Sequence, residues 1–210
     1  MKLLLIADQA EPTLWGHLDR RKLEGVDLVL SCGDLPPEYL EFLTCFTPAP
    51  ILSVHGNHDT KYEHRPPEGC VCIDGKLYVH EGLRILGLGG SMRYKPGPNQ
   101  YTEEQMRRRV WKLAPRLLAY HGFDILLAHA PARHMGDFDS LSHRGFECFV
   151  RLIDRYQPKY FVHGHIHMNY GVNIPQRSAR GDTTVINAYE YCLFDYEQSP
   201  QSADASAQNA

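Results

Sequence analysis

The sequence lacks a long apolar run and lacks any cysteine pair with CxxC spacing. The apolar stretch near its start ends at Asp8, too early for the core of a secretory signal. No stretch approaches the roughly 20 apolar residues of a membrane span. The six cysteines are Cys32, Cys45, Cys70, Cys72, Cys148 and Cys192. They are expected to be reduced thiols, mostly packed in strands, in a cytoplasmic protein, and no membrane partner is expected.

The sequence also has little net charge. Its 22 Lys and Arg residues against 25 Asp and Glu residues leave a charge of -3 with neutral histidines. This balance gives no general attraction to nucleic acid or to an anionic membrane. The one dense basic run, residues 107–109, is expected to be the solvated face of a helix rather than a binding patch.

The first part of the chain alternates apolar runs with more polar segments. Three runs without internal alternation are typical of strands covered on both faces: residues 2–7, 27–32 and 51–55. Between them lie a segment near residues 18–23 and a predicted helix at residues 38–46. This order predicts a parallel sheet with right-handed crossovers.

The middle of the chain changes character. Two short strand-like runs, residues 71–73 and 77–80, flank Asp74 and Gly75, and this arrangement predicts a β-hairpin. A strand at residues 84–88 follows.

A long helix is predicted for residues 102–120, after a loop at residues 92–99. Thr102 and Gln105 have the spacing of a capping box at its start. Pro115 is expected to break or kink the helix.

The last part of the chain returns to buried strands. The predicted strands are residues 123–128, 159–163, 183–188 and 191–196. A loop at residues 130–142 and a helix at residues 143–156 separate the first two. One domain is therefore expected over residues 1–196. The Ser-, Ala- and Gln-rich residues 197–210 are expected to form a flexible polar tail.

Polar residues follow five of the predicted strands at their C-terminal ends. They are Asp8, the pair Gly33-Asp34, the run Gly56-Asn57-His58-Asp59, His129, and the run Gly164-His165-Ile166-His167. The carboxyl ends of strands in α/β sheets are where ligands gather. A lone His or Asp at such an end is usually a satisfied polar residue. Five occurrences in one chain instead favour a shared site.

The residue types at these ends favour a metal site. Carboxylate oxygens, an amide oxygen and imidazole nitrogens form a mixed ligand set that suits manganese, iron, zinc or similar divalent ions. The small residues Gly33, Gly56 and Gly164 allow tight turns and close backbone approach beside the ligands.

These motifs, in this order, resemble the calcineurin-like metallophosphoesterase superfamily. Its pattern is Asp-x-His, Gly-Asp, Gly-Asn-His-Asp/Glu, a lone His after a strand, and Gly-His-x-His. The resemblance covers residues 1–196. It implies an α/β fold, a four-layer αββα sandwich of two mixed sheets flanked by helices, with metal ions at the sheet ends.

The resemblance also implies roles for individual residues. Asp34 would bridge two divalent ions, with manganese expected and iron, zinc or nickel as alternatives. The other implied ligands are Asp8 and His167 for the first ion, and Asn57, His129 and His165 for the second. His58, steered by Asp59, would be the general acid or would stabilise the phosphoryl oxygens. A hydroxide shared by the ions would attack phosphorus in line, as in two-metal hydrolysis.

One position departs from the family pattern. The histidine expected two residues after Asp8 is Ala10. The first ion would therefore lose a nitrogen ligand, so a weakened first site beside a normal second site is expected. Glu11 or His17 could fill the gap, although neither is in register. The departure keeps open a second interpretation, a protein-binding scaffold or a nucleotide sensor.

The substrate is less well indicated than the metal site. The resemblance implies a metallophosphoesterase, and the compact single domain favours a small or accessible phosphoester. The segment from Arg133 through Cys148 to Gly164 also resembles a small subgroup of predicted phosphodiesterases within the superfamily, which favours a diester. Four residues are candidates for substrate binding: Arg93, Tyr94, His143 and Arg144. Ordinary surface loops and capping of the predicted helix by Ser142 are the alternatives. No dimer face can be identified from the sequence.

Overall fold

Two β-sheets form the centre of the molecule. The structure is a computed structural model that describes residues 1–171 and 174–197. The strands are β1 (Lys2–Ala7), β2 (Leu28–Ser31), β3 (Ile51–Ser53), β4 (Cys70–Cys72), β5 (Lys76–His80), β6 (Leu83–Leu88), β7 (Ser91–Met92), β8 (Gln100–Tyr101), β9 (Ile125–Ala128), β10 (Tyr160–His163), β11 (Arg177–Arg180), β12 (Thr183–Asn187) and β13 (Glu190–Asp195). The α-helices are α1 (Pro37–Thr44), α2 (Glu103–Ala119) and α3 (Glu147–Tyr156).

Both large sheets are mixed. The first has the order β13-β1-β2-β3-β4, with β13 antiparallel to β1 and the other pairs parallel. The second has the order β11-β12-β10-β9-β6-β5, with antiparallel strands only at its two edges. Strands β7 and β8 form a separate two-stranded sheet. The parallel centre of each sheet brings several strand ends to one edge.

Three hydrophobic layers separate the sheets and helices. Along β1, Leu3 and Leu5 face the second sheet, whereas Leu4 and Ile6 face α1 and the turns beside it. A third cluster lies between the second sheet and helices α2 and α3. Because successive side chains of a strand point to opposite faces, an uninterrupted apolar run such as β1 is buried on both. The layers are therefore helix, sheet, sheet and helix, which confirms the predicted sandwich.

The predicted hairpin around Asp74 and Gly75 is wrong. Strand β4 pairs with β3 in the first sheet, whereas β5 pairs with β6 in the second. The turn therefore carries the chain from one sheet to the other. The hairpin lies one strand later, where β5 and β6 are joined by Glu81 and Gly82, both with positive φ (48° and 82°). Two-residue hairpin turns of this kind match the twist of the strands.

The first crossover contains two short 3-10 turns, Pro12–Leu14 and Arg20–Lys22, in the region of the segment expected near residues 18–23. One helix prediction needs correction. Helix α3 begins at Glu147, not at residue 143, after a 3-10 turn at Leu141–His143. Its first N–H groups, of Glu147 and Cys148, donate to the carboxylate of Glu103 on α2. The start of α3 is thus fixed by a distant acidic side chain, which local sequence does not show.

Helix α2 begins as predicted and ends at Ala119, close to its expected end at residue 120. Thr102 and Gln105 form the capping box. Pro115 lies inside the helix without ending it. No described helix is long and apolar enough to cross a membrane. The predicted tail at residues 197–210 lies, after Glu197, outside the described residues.

Candidate metal centre

Polar residues from both sheets meet in one cleft at the ends of the parallel strands. The cleft has a volume of about 290 Å³. It is lined by Asp8, Asp34, Asn57, His58, Tyr94, Ser142, His143, His165, His167 and Tyr170. The convergence expected from the sequence is therefore observed.

Four ligand atoms cluster at the base of this cleft. The Nε2 atom of His129 lies 3.0 Å from Oδ1 of Asn57 and 3.1 Å from Nδ1 of His165. It lies 3.4 Å from Oδ2 of Asp34. Within the described residues, Asp34, His129 and His165 are the only trio of His, Cys or acidic side chains whose ligand atoms lie within 4.8 Å of one another.

Two backbone carbonyls fix the orientation of the histidines. Nδ1 of His129 lies 2.8 Å from the carbonyl oxygen of Cys32, and Nε2 of His165 lies 2.7 Å from that of Ser142. A carbonyl only accepts hydrogen bonds, so these nitrogens carry the protons. The other nitrogen of each ring faces the cluster. Burial acts to lower the pKa of His129, but Asp34 and the nearby carboxylates outweigh it and raise the pKa to about 9, so without a metal ion Nε2 of this ring also carries a proton, which a bound ion would replace. Such outer contacts are the usual means of orienting histidine ligands.

The donor set fits a divalent cation. Two imidazole nitrogens, an amide oxygen and a carboxylate oxygen approach one another, and their lone pairs repel unless a proton on His129 or a metal cation lies between them. The Nδ2 group of Asn57 is buried without a partner among the described residues, while its oxygen faces the cluster. Burying an unpaired donor is costly. This orientation is thus consistent with a site that uses the amide oxygen as a ligand.

The electrostatics of the cleft depend on two carboxylates, Asp34 of the cluster and the neighbouring Asp8. Burial acts to raise the pKa of Asp34, but His129 and the backbone N–H of His58 outweigh it and lower the pKa to about 2. Burial, opposed by His129, raises the pKa of Asp8 to about 7. Both oxygens of Asp8 accept from the backbone N–H of His165, at 3.0 and 2.8 Å. Asp34 is therefore the firmly ionised member of the pair.

Glycine is required beside both carboxylates. A Cβ atom on Gly56 would lie 2.0 Å from Oδ1 of Asp34. A Cβ atom on Gly164 would lie 2.7 Å from Oδ2 of Asp8. Backbone and carboxylate can approach this closely only where no side chain intervenes. The role expected for these glycines is confirmed.

Asp59 contacts the ligand loops rather than the ring of His58. Its Oδ2 atom accepts from the N–H groups of Gly56 (2.7 Å) and Asp34 (2.9 Å). The backbone N–H of His58 donates to Oδ1 of Asp34 at 2.7 Å, and the exposed side chain of His58 lines the cleft. Asp59 therefore joins two ligand loops, and its predicted steering of His58 through a hydrogen bond is not seen.

The residues expected at the first metal position are less closely gathered. His167 lines the cleft with Asp8, and its ring stacks on Tyr170 at 4.6 Å and lies 4.8 Å from that of Tyr189. Ala10 is partly buried. The structure thus gathers the second ligand set more tightly than the first.

Neither proposed substitute for the missing histidine is among the residues that line the cleft. The carboxylate of Glu11 accepts from the N–H (3.1 Å) and hydroxyl (2.5 Å) of Thr13, and lies 3.8 Å from Nζ of Lys22. His17 is exposed. Glu11 acts as the cap of a 3-10 turn.

Two of the four predicted substrate residues reach the cleft. Tyr94 and His143 line it. The guanidinium of Arg93 donates instead to the carbonyl of Gln100, and that of Arg144 to the carbonyl of Asp139. Neither arginine lines the cleft, because each is held by its own loop. His143 lies in a 3-10 turn, so no helix N-terminus is presented there.

Several residues at the site carry no sequence signal. Tyr170 forms part of the cleft wall, and its ring lies 5.1 Å from that of His143. The carbonyls of Cys32 and Ser142 orient the two histidine ligands. A backbone carbonyl is present at every residue, so only the tertiary structure identifies those that matter.

The site and fold agree with comparisons to known proteins. Residues 7–169 match the family described as calcineurin-like phosphoesterase. The chain belongs to this family, whose members use divalent metals. It is similar to a UPF0046 protein of Caenorhabditis elegans, with 29% identity over 148 residues, covering 62% of this chain and 48% of that protein. It is also similar to human metallophosphoesterase domain-containing protein 1, with 29% identity over 132 residues, covering 61% and 37%. The chain thus spans about half or less of these two relatives.

Solved structures show the same fold. The protein TT1561 of Thermus thermophilus has a TM-score of 0.62 at 15% identity, covering 90% of this chain and 89% of that one. GAP50, described as the anchor in the inner membrane complex of Plasmodium, has a TM-score of 0.55 at 10% identity, covering 89% and 70%. At such low identities the likeness concerns the fold alone.

Proposed function

We propose that the protein is a metal-dependent phosphodiesterase. Its metal would be held by Asp34, Asn57, His129 and His165, the cluster in which two backbone carbonyls fix both rings. Manganese is the expected ion, with iron, zinc or nickel as alternatives. A divalent ion at such a site polarises the phosphoryl group and lowers the pKa of water.

The proposal of a diester substrate rests on the charge of the residues that line the cleft. No Lys or Arg is among the described residues that line it, and its walls include Tyr94 and Tyr170. A phosphomonoester carries nearly two negative charges at neutral pH, whereas a diester carries one. A site without fixed cations therefore suits the less charged ester. The tyrosine rings offer contact area to its second substituent.

His58 is the proposed proton donor to the leaving group. Its side chain is exposed to the cleft and is adjacent in sequence to the ligand Asn57. Its N–H bond to Asp34 fixes the backbone from which the ring extends. Imidazole is the side chain most often used for general acid catalysis.

The first metal position is proposed to be weak. It would keep Asp8, His167 and the shared Asp34, but Ala10 supplies no ligand. Three protein ligands can still hold a catalytic ion. We expect the second position to bind its ion more tightly than the first.

The test is hydrolysis of bis-p-nitrophenyl phosphate and of p-nitrophenyl phosphate with added Mn²⁺. The proposal expects metal-dependent activity that prefers the diester. Asn57→Ala should lower both metal content and activity, whereas His58→Ala should lower activity with metal still bound. Arg93→Ala, outside the cleft, is the matched control and should behave like the native protein. A preference for the monoester would contradict the diester assignment.

Ala10 also favours a second candidate function. A family member with a weakened first site could serve as a protein-binding scaffold or as a nucleotide sensor. Metal bound at the second position without turnover of either ester would favour that alternative. A cytoplasmic location and a small or accessible phosphoester substrate remain predictions from the sequence.

A further inference from the structure

The outer face of helix α2 carries the two most exposed large apolar side chains of the described chain. Trp111 is 77% exposed and Leu118 is 75% exposed. They are seven residues apart, with Pro115 exposed between them, so the three lie along one side of the helix. The opposite side, with Met106 and Leu113, packs against the second sheet. The apolar stripe is therefore additional to the core.

Cationic side chains surround this stripe. On the exposed side of α2, four cations accompany a single carboxylate: Arg107, Arg108, Lys112 and Arg116 with Glu104. Glu104 pairs with both Arg107 and Arg108. Lys112 has no ion-pair partner among the described residues, and Arg116 donates to the neutral carbonyl of Leu77. This face is positive although the whole chain has a net charge of -3.

The basic run at residues 107–109 is therefore divided between two roles. Arg109 turns inward, where it pairs with Asp74 at 2.5 Å and lies over the ring of Tyr101. Arg107 and Arg108 remain on the outside beside Trp111. The expectation of a solvated face accounts for the two outer arginines but not for the exposed tryptophan next to them.

We propose that the outer face of α2 docks on the surface of an anionic phospholipid membrane. Helix α2 belongs to an outermost layer of the sandwich, so its ridge can lie along a planar surface. Tryptophan prefers the boundary between headgroups and acyl chains, and nearby cations are attracted by anionic headgroups. A symmetric pair of these faces would set cations against cations, which argues against a second copy as the occupant.

The sequence contains two tryptophans, which provides a matched pair of variants. Trp15→Phe leaves Trp111 as the only indole fluorophore, on the docking face. Trp111→Phe leaves Trp15, which is 36% exposed and packs against Tyr39 at 5.6 Å. The whole chain is titrated with vesicles of phosphatidylcholine, with and without phosphatidylserine, while tryptophan emission is recorded.

The proposal expects a blue shift of Trp111 emission only with vesicles that contain phosphatidylserine. The shift should disappear at high salt. Trp15 emission should not change. Lys112→Gln and Arg108→Gln, each made in the Trp15→Phe chain, should each weaken vesicle binding about fivefold. Sedimentation of the native protein with the same vesicles checks that the substitutions have not created the effect.

Several results would overturn the proposal. One is an unchanged Trp111 spectrum, and another is an equal shift with phosphatidylcholine alone. A shift that grows with protein concentration in the absence of vesicles would assign the face to self-association. A shift caused by inorganic phosphate alone would mean that the cations bind a free anion rather than a lipid surface.

Discussion

Asp59 offers a decisive test of how the site is held together. Its Oδ2 atom accepts two backbone N–H groups, one from each of two ligand loops. Asp59→Ala leaves both donors without this partner. Hydrogen bonds to a charged group contribute roughly 1.5–3 kcal/mol each, so a loss of about 3 kcal/mol or more is expected. Asp59→Asn keeps an acceptor oxygen and removes a charge that repels Asp34, so its cost should be about 1 kcal/mol.

The measurements are unfolding by urea and binding of Mn²⁺, each made with and without His58→Ala. If Asp59 joins the ligand loops, Asp59→Ala should weaken metal binding by about 10–100-fold in both backgrounds. If Asp59 instead acts through the ring of His58, its substitution should have little effect once that ring is removed. Unchanged stability and metal affinity in Asp59→Ala would refute the reasoning.

Three further predictions follow from particular contacts. Gly56→Ala would place a Cβ atom 2.0 Å from Oδ1 of Asp34, and should cost about 1–3 kcal/mol in urea unfolding and weaken Mn²⁺ binding. Gly16→Ala, with no atom within 4 Å of the added group, is its control, and equal effects would contradict the steric argument. Burial lowers the pKa of His163 to about 4, below its unfolded value of roughly 6.5. Because folding holds this ring neutral, its titration does not reduce the free energy of unfolding above about pH 6.5. As the pH falls from about 6.5 towards 4, the unfolded chain binds the proton more readily and the free energy of unfolding decreases. When the pH is lowered from 7 to 5, the free energy of unfolding of the native protein should fall by about 2 kcal/mol more than that of His163→Phe. Equal decreases in the two proteins would refute this. Ala10→His should raise the Mn²⁺ content per chain by elemental analysis, whereas two tightly bound ions in the native protein would contradict a weak first site.

The candidate metal ligands could be recognised in the sequence because each follows a buried strand. A ligand loop needs a glycine where the backbone approaches a carboxylate, and Gly56 and Gly164 mark those places in the sequence. The substrate residues were harder to predict. Arg93 and Arg144 lie in loops near the cleft, but each guanidinium turns to a carbonyl of its own loop. The direction of a long side chain depends on neighbours that local sequence does not reveal.

The pairing of strands likewise could not be predicted from local sequence. Val71 and Tyr78 lie on strands flanking a strong turn signal, yet their strands enter different sheets. Asp74 contributes to the separation of the two strands. Its carboxylate accepts a hydrogen bond from the N–H of Gly89 and pairs with Arg109, so the turn is held against the end of β6 and against α2. A turn motif fixes a local change of direction, whereas long-range contacts determine which strand is paired.

The sequence by itself determined the family, the order of the buried strands and the residues of the candidate metal cluster, Asp34, His129 and His165. Uninterrupted apolar runs require cover on both faces, and polar residues after them must meet at one sheet edge. Only the tertiary structure decided which carbonyls orient His129 and His165, and which tyrosines line the cleft. It also placed Trp111 on an open helix face. Those features depend on contacts between residues far apart in the chain, and such contacts exist only once the layers have packed.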